Sequence, residues 1–254
     1  MGIVGTIAAR DFKSYAFSMR GAAVFFFCLI IMGAFFQSFV YTFVDLQEQG
    51  PMMGGEGPGL HQLVQALCQN LHFVILLLVP AITMASFAED KKSKSYKLLL
   101  ASPVKPRQVV LGKYFGCLCL VSLVLASTGI FFQYIYQYGN PDPLRILTSF
   151  LGLGLLVSAQ VAFGIWVSSM TSHQFLAFIF TMAGLFFMLI LNWIAPHISS
   201  TEEVEGFVRY LAVSTHLEPF FKGLVSVSNI GFFLLFTFLF LFLTTSVVDS
   251  ERWR

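Results

Sequence analysis

The chain has 254 residues, 57% of them hydrophobic and only 11% Asp, Glu, Lys or Arg, with a net charge of +2. A typical soluble domain is roughly 25% charged, so a soluble fold of this length could not cover so apolar a surface. Apolar runs extend from Ala22 almost to the C-terminus, leaving no space for a soluble domain, and residues 1–254 read as one membrane domain. The small net charge says nothing about nucleic acid, and no nucleic-acid partner is expected. Cys28, Cys68, Cys117 and Cys119 lie in or beside apolar runs and read as small apolar residues, not as disulfides or metal ligands.

Residues 1–21 begin with a match to the myristoylation pattern, which is taken as chance because six spans already anchor the chain. Val4, Ala8, Phe12, Tyr15 and Met19 recur at helical spacing while Arg10, Lys13 and Ser14 turn elsewhere, so an amphipathic helix in the cytoplasmic interface is expected, with a disordered tail as the alternative. The first span is placed at 22–44. Basic residues precede it as in a signal peptide, but the run is too long for an h-region of about 7–15 residues. Residues 45–60, with Gly50, Pro51 and the Gly54 to Gly59 run, read as a flexible outer connection.

The second span, 64–88, carries Gln69, Asn70 and His72 within one turn, a candidate polar patch on a transport pathway together with Asn192 of the fifth span. Each such group either bonds a neighbouring helix or faces a water-filled path. Pro80 is expected to kink this helix. Then comes the loop 89–113, with Glu89 and Asp90 ahead of seven cations: Lys91, Lys92, Lys94, Lys97, Lys105, Arg107 and Lys113. Acids before bases suit a helix macrodipole, and Asp90 has Lys94 at i+4. Leu98, Leu99 and Leu100 end this short polar helix, and Ser102-Pro103 stops it and starts the helix of the third span. Lysines that merely enforce topology and touch anionic lipid would explain the charges. They leave the leucine triplet without a packing partner.

The remaining spans are placed at 114–138, 146–169, 175–195 and 228–248. Each is about 20 or more apolar residues, enough to cross a hydrocarbon core of about 30 Å, and continuous rather than alternating, so helical and not a barrel. Between the last two, residues 196–227 carry Glu202, Glu203 and Glu205 ahead of an apolar pattern, read as short helices on the outer leaflet. Counting Lys and Arg loop by loop puts twelve on one side and three on the other, so both termini and the loop 89–113 are expected in the cytoplasm.

The order of acids, leucine-ended helix, Ser102-Pro103, Val109 to Leu111 and Gly112-Lys113 resembles the cytoplasmic loop of permease subunits of ABC-2 type transporters. Ser214 to Gly223, Leu239 to Thr244 and the closing Ser250-Glu251-Arg252-Trp253 look like its gliding-motility-associated (GldF-type) branch. The resemblance covers essentially the whole chain and implies an all-α, six-span permease fold of the type V exporter kind. It also implies two cytoplasmic ATPase subunits that hold ATP and Mg, a second permease chain (a homodimer is expected), and residence in the bacterial inner membrane. Glu89, Asp90, Lys94, Tyr96, Lys97 and Leu98 to Leu100 are the expected coupling residues. The chain departs from the family pattern at Ser95-Tyr96, usually Gly-Thr, and at Lys97, usually an acid.

The chain carries no sign of an engine. The spans hold no Asp, Glu, Lys or Arg in their interiors, against an ion-coupled carrier, and the one Gly-Lys step lacks the phosphate-binding pattern of an ATP site. Ser122, Ser127 and Ser158 are ordinary interhelical hydrogen-bonders rather than protease nucleophiles. The expected function is ATP-driven export of a lipid-like or amphipathic cargo, with no catalytic or metal site on the chain. The alternatives are a scaffold that relays ATPase motion to periplasmic or outer-membrane machinery and a passive channel.

Overall fold

The computed structural model describes residues 2–49, 59–92, 104–139, 141–198 and 202–252. Among them are ten helices and no strand: α1 (Ile3–Ala16), α2 (Met19–Gln49), α3 (Leu60–Lys92), α4 (Pro106–Ser127), α5 (Gly129–Tyr138), α6 (Pro143–Met170), α7 (Gln174–Ile198), α8 (Glu202–Leu211), α9 (Val213–Phe221) and α10 (Val227–Arg252). Six stretches are long and apolar enough to cross a membrane: Gly21–Glu48, Leu60–Lys92, Pro106–Gln137, Pro143–Met170, Gln174–Ile194 and Val227–Glu251. They coincide with the six expected spans.

Two corrections concern the third span. Its helix does not start at the Ser102-Pro103 step, because Val104 and Lys105 are not helical and Pro106 takes the first position. A proline pushes the residue before it out of the helical region, and Lys105 accordingly sits at φ −70° and ψ 141°. The span is also interrupted at Thr128, between α4 and α5. Ser127 Oγ donates to the Val124 carbonyl and Thr128 Oγ1 to the Leu125 carbonyl, both at 2.6 Å. Hydroxyls that bond back onto the preceding turn compete with the backbone ladder and bend it.

The core sits on α3 and α6, whose inner faces bury Leu71, Val79, Phe87, Leu153, Leu156 and Ile165. They approach closely at Gly164, where a Cβ would meet Thr83 Oγ1 at 2.3 Å. Small residues at such crossings let two backbones near each other, the usual way for helices to associate in lipid. α2, α7 and α10 surround this pair and leave Phe26, Phe27, Phe180, Trp193, Leu235 and Phe238 exposed.

The helix α3 has 33 residues and the third span 32. At 1.5 Å per residue each is nearly 50 Å long, well beyond a hydrocarbon core of about 30 Å, so both project from it. α1 packs on α4. Cβ atoms at Gly112 would meet Ile7 at 2.7 Å, and at Gly116 the Ala8 carbonyl at 3.3 Å, so residue numbers rise together and the two helices run parallel. The helix expected to rest on the interface therefore presents a face to protein, formed by Val4, Ile7, Ala8 and Asp11; of the expected Val4, Ala8, Phe12, Tyr15 and Met19, it includes Val4 and Ala8, and Tyr15 turns its buried phenol oxygen to the same side. Met19 is exposed.

At the opposite end, where short helices are expected within 196–227, the described residues form α8 and α9. His216 is buried and bridges three elements: Nδ1 lies 2.9 Å from Asn229 Oδ1, Nε2 lies 2.8 Å from the Tyr210 carbonyl, and its ring stacks on Phe232 at 4.0 Å. The segment leaves α9 through Gly223 at φ +85°, a conformation that favours glycine.

Candidate functional site at the root of the loop

Both ends of the chain and the residues flanking 93–103 gather at one end of the bundle, since α1 packs on α4 and Glu251 of α10 reaches Lys91 of α3. Two adjacent residues of α3 organise that end. Successive helical positions are turned about 100° from each other, so Asp90 and Lys91 reach different neighbours.

Asp90 faces α4. The Lys113 side chain is 3% exposed, and its Nζ lies 2.6 Å from Asp90 Oδ2 and 3.5 Å from Asp11 Oδ2. The same nitrogen donates to the Ser86 carbonyl at 2.5 Å and stands 5.1 Å from the centre of the Phe87 ring. An ammonium has three donors and no acceptor; here one goes to the Ser86 carbonyl of α3, and the carboxylates of Asp90 on α3 and Asp11 on α1 stand beside the charge as ion-pair partners. Asp11 is shared: its Oδ1 also accepts from Arg10 Nε at 3.0 Å and Nη2 at 2.9 Å. The charge cluster joins α1, α3 and α4.

Lys91 faces the other way. Its Nζ lies 2.6 Å from Glu251 Oε1 of α10 and donates to the Ser169 carbonyl at the end of α6. One turn earlier on α3, Ser168 Oγ accepts from the Phe87 and Ala88 N–H groups at 3.1 and 3.3 Å and donates to the Met84 carbonyl at 3.1 Å. A hydroxyl set against the backbone ladder is a recognised cause of bending. It lies nearer the loop than Pro80, which stays within the continuous helix α3.

Of the expected coupling residues, Glu89 and Asp90 stand at this root. Lys94, Tyr96, Lys97, Leu98, Leu99 and Leu100 lie outside the described residues, as do Ser102 and Pro103. The expected pair of Asp90 with Lys94 lies outside the described residues; within them the Asp90 carboxylate lies on Lys113. Sequence reasoning missed Asp11, Lys91 with Glu251, and Ser168. The signals are present in part, as an acid on the α1 stripe that meets α4 and a lysine opening an apolar span, but partners far apart in sequence have no fixed spacing to reveal them. Tyr15, about two helical turns beyond Ala8 on α1, lines a cavity beside the cluster. Burial, and after it the neighbouring Cys117, Glu89, Asp11 and Asp90, holds its phenol above the usual range.

The candidate pathway residues do not form one patch. Gln69 is exposed. Asn70 borders a cavity of 10 Å³ with Met32, Phe36 and Phe132, and buried His72 borders a different one, also of 10 Å³, with Gln160, Leu156 and Phe233. Either cavity has room for about one water molecule. Asn192 Oδ1 accepts from Thr215 Oγ1 at 3.4 Å, tying α7 to α9. Positions 69, 70 and 72 are neighbours in sequence but point to different sides of a helix.

Against known families, the ABC-2 family transporter protein model matches residues 5–249. The chain belongs to that family. No curated protein matches it. An ABC-2 permease is the membrane component of a transporter and associates with ABC ATPase partners, which makes this chain a multi-pass membrane subunit.

Proposed function

We propose that two copies of this chain form the permease of a bacterial inner-membrane exporter, with the termini and the loop 89–113 in the cytoplasm and two ATPase subunits, holding ATP and Mg, docked on that loop. The observation that carries this reading is the double anchoring of Asp90 and Lys91. A push on the loop reaches α1 and α4 through Lys113 and reaches α6 and α10 through Glu251 and Ser169, so the loop end responds as a unit. The resemblance at Ser214 to Gly223 and Ser250 to Trp253 favours the gliding-motility-associated branch, and the acidic sequence at Glu202, Glu203 and Glu205 favours a periplasmic partner. The apolar walls favour a lipid-like or amphipathic cargo, carried between copies rather than through one, since the cavities at Asn70 and His72 hold about one water each.

Those same small cavities favour a second reading, a scaffold that passes ATPase motion to periplasmic machinery and moves nothing. Co-purification with candidate ATPase subunits tests the shared premise. Leu99→Asp puts a charge where an apolar residue is to dock and is expected to weaken the complex by roughly tenfold or more, about 1.4 kcal/mol, with ATP hydrolysis in the complex falling in step. Intact association and intact coupled hydrolysis would remove the docking proposal. Transfer of labelled lipid in vesicles containing the complex then separates export from force transmission.

A further inference from the structure

Two cavities lie side by side at the loop end, one of 510 Å³ and one of 690 Å³. Ser14, Tyr15, Ala85, Glu89 and Leu120 line both, so they are two ends of one space between α1, α2, α3 and α4. Each end is within the range of roughly 300–1,000 Å³ usual for organic ligands. The ends differ in chemistry. The smaller is walled by Arg10, Asp11, Asp90 and Lys113, and the larger by Val24, Phe25, Phe26, Leu78, Ile82 and Leu123. Phe26 and Leu123 are also exposed outward, at 63% and 47%, so the apolar end opens sideways where hydrocarbon would lie.

The charges at the polar end are mostly spent on each other. Lys113 lies on Asp90 and Asp11, and Arg10 on Asp11. Glu89, on the shared wall, has no ion-pair partner among the described residues. Two hydroxyls are also left over. Ser86, 6% exposed, and Tyr15 have buried oxygens without an oxygen or nitrogen partner among the described residues, Ser86 Oγ lying against the Cys117 thiol. Ser86 lines the polar end and Tyr15 both ends. A carboxylate at the seam of a polar and an apolar chamber, with acids outnumbering bases around it, selects against an anionic amphiphile and for a cationic head on an alkyl chain.

We propose that this space binds an amine-headed amphiphile, its ammonium on Glu89 and its chain against Phe25, Leu78 and Ile82. The site rests on the cavity and its charges, not on the transport reading, and its failure would leave the permease assignment standing.

The test uses the full chain alone in nanodiscs of phosphatidylglycerol, with photoactivatable hexadecylamine as probe and hexadecanoic acid bearing the same photoactivatable group as control. Peptide mass spectrometry should place the amine on segments 14–26 and 120–124, roughly fivefold above the acid. Glu89→Gln should erase that preference, and Ala81→Trp, which fills the apolar end while keeping the carboxylate, should remove labelling by the amine. Equal labelling by amine and acid in the unaltered chain, or labelling indifferent to both variants, would overturn the proposal. Repeating the experiment with phosphatidylethanolamine in the discs identifies the source: competition marks a resident membrane lipid as occupant, and amine labelling that persists marks a free amphiphile, each consistent with the site.

Discussion

Replacing Lys113 by Met is expected to destabilise the purified chain by about 3 kcal/mol, the lower part of the range for breaking a buried ion pair. The ammonium is almost wholly buried, while Asp90 and Asp11 keep 25% and 18% of their side-chain surface, so water relieves part of the cost of leaving them unpaired. The two carboxylates would then share the cluster without the cation that reconciles them, and the Ser86 carbonyl would lose its donor. Thermal unfolding in detergent measures the loss. Adding Asp11→Asn and Asp90→Asn to Lys113→Met should restore a large part of it, because removing a whole buried charge set is far cheaper than removing one member. A triple variant as unstable as the single one would show that Lys113 acts through packing on Phe87 and not through its charge. The pairwise couplings follow from double-variant cycles, which are the way to apportion a shared network.

Gly164→Val is expected to be the next most damaging change, about 1–3 kcal/mol by overpacking. A Cβ at this position meets Thr83 Oγ1 at 2.3 Å, Thr83 Cβ at 2.9 Å and Thr83 Cγ2 at 3.1 Å. Thr83 has no easy escape, since it is fully buried and its hydroxyl donates to the Val79 carbonyl at 2.8 Å. α3 and α6 must then move apart, and α3 is the helix that leads to the loop. Stability should fall, and, on the proposed function, ATP hydrolysis in the complex with it. Thr83→Ala in the same chain removes Oγ1 and Cγ2 from the clash and should recover part of the stability; an additive double variant would mean that the two helices already separate easily at this crossing.

Much of the plan is legible in the sequence. Six continuous apolar runs admit one structural answer in lipid, because backbone groups there must bond within their own helix, and the structure places six apolar helices on the same segments. The two short helices α8 and α9 are also readable, from an acidic start followed by apolar residues at helical spacing. The third span shows where local reading stops. Ser102-Pro103 and Pro106 are both helix-start signals, and only the extended Lys105 decides between them. The interruption at Thr128 rests on two hydroxyls choosing backbone carbonyls over lipid or neighbours, a choice that composition does not reveal.

The site is legible only in outline. Glu89 and Asp90 stand out as the acidic start of the 89–113 loop, but spacing offers Asp90 only the local Lys94 and not Lys113 of the next helix. Gln69, Asn70 and His72 group together because they share a turn, although one turn of a helix faces every direction. Hydrophobicity and charge asymmetry by themselves determined the class of protein, the number and approximate extent of its spans and the absence of Asp, Glu, Lys and Arg from the interiors of the expected spans, since these depend on each segment's transfer into lipid. Tertiary structure alone decided that Asp11, Asp90 and Lys113 meet, that Lys91 reaches Glu251, and that α1 lies along α4. Those contacts depend on which helices become neighbours, and in a membrane that is set by close fits such as Gly112, Gly116 and Gly164, where van der Waals packing takes the place of a hydrophobic force between helices.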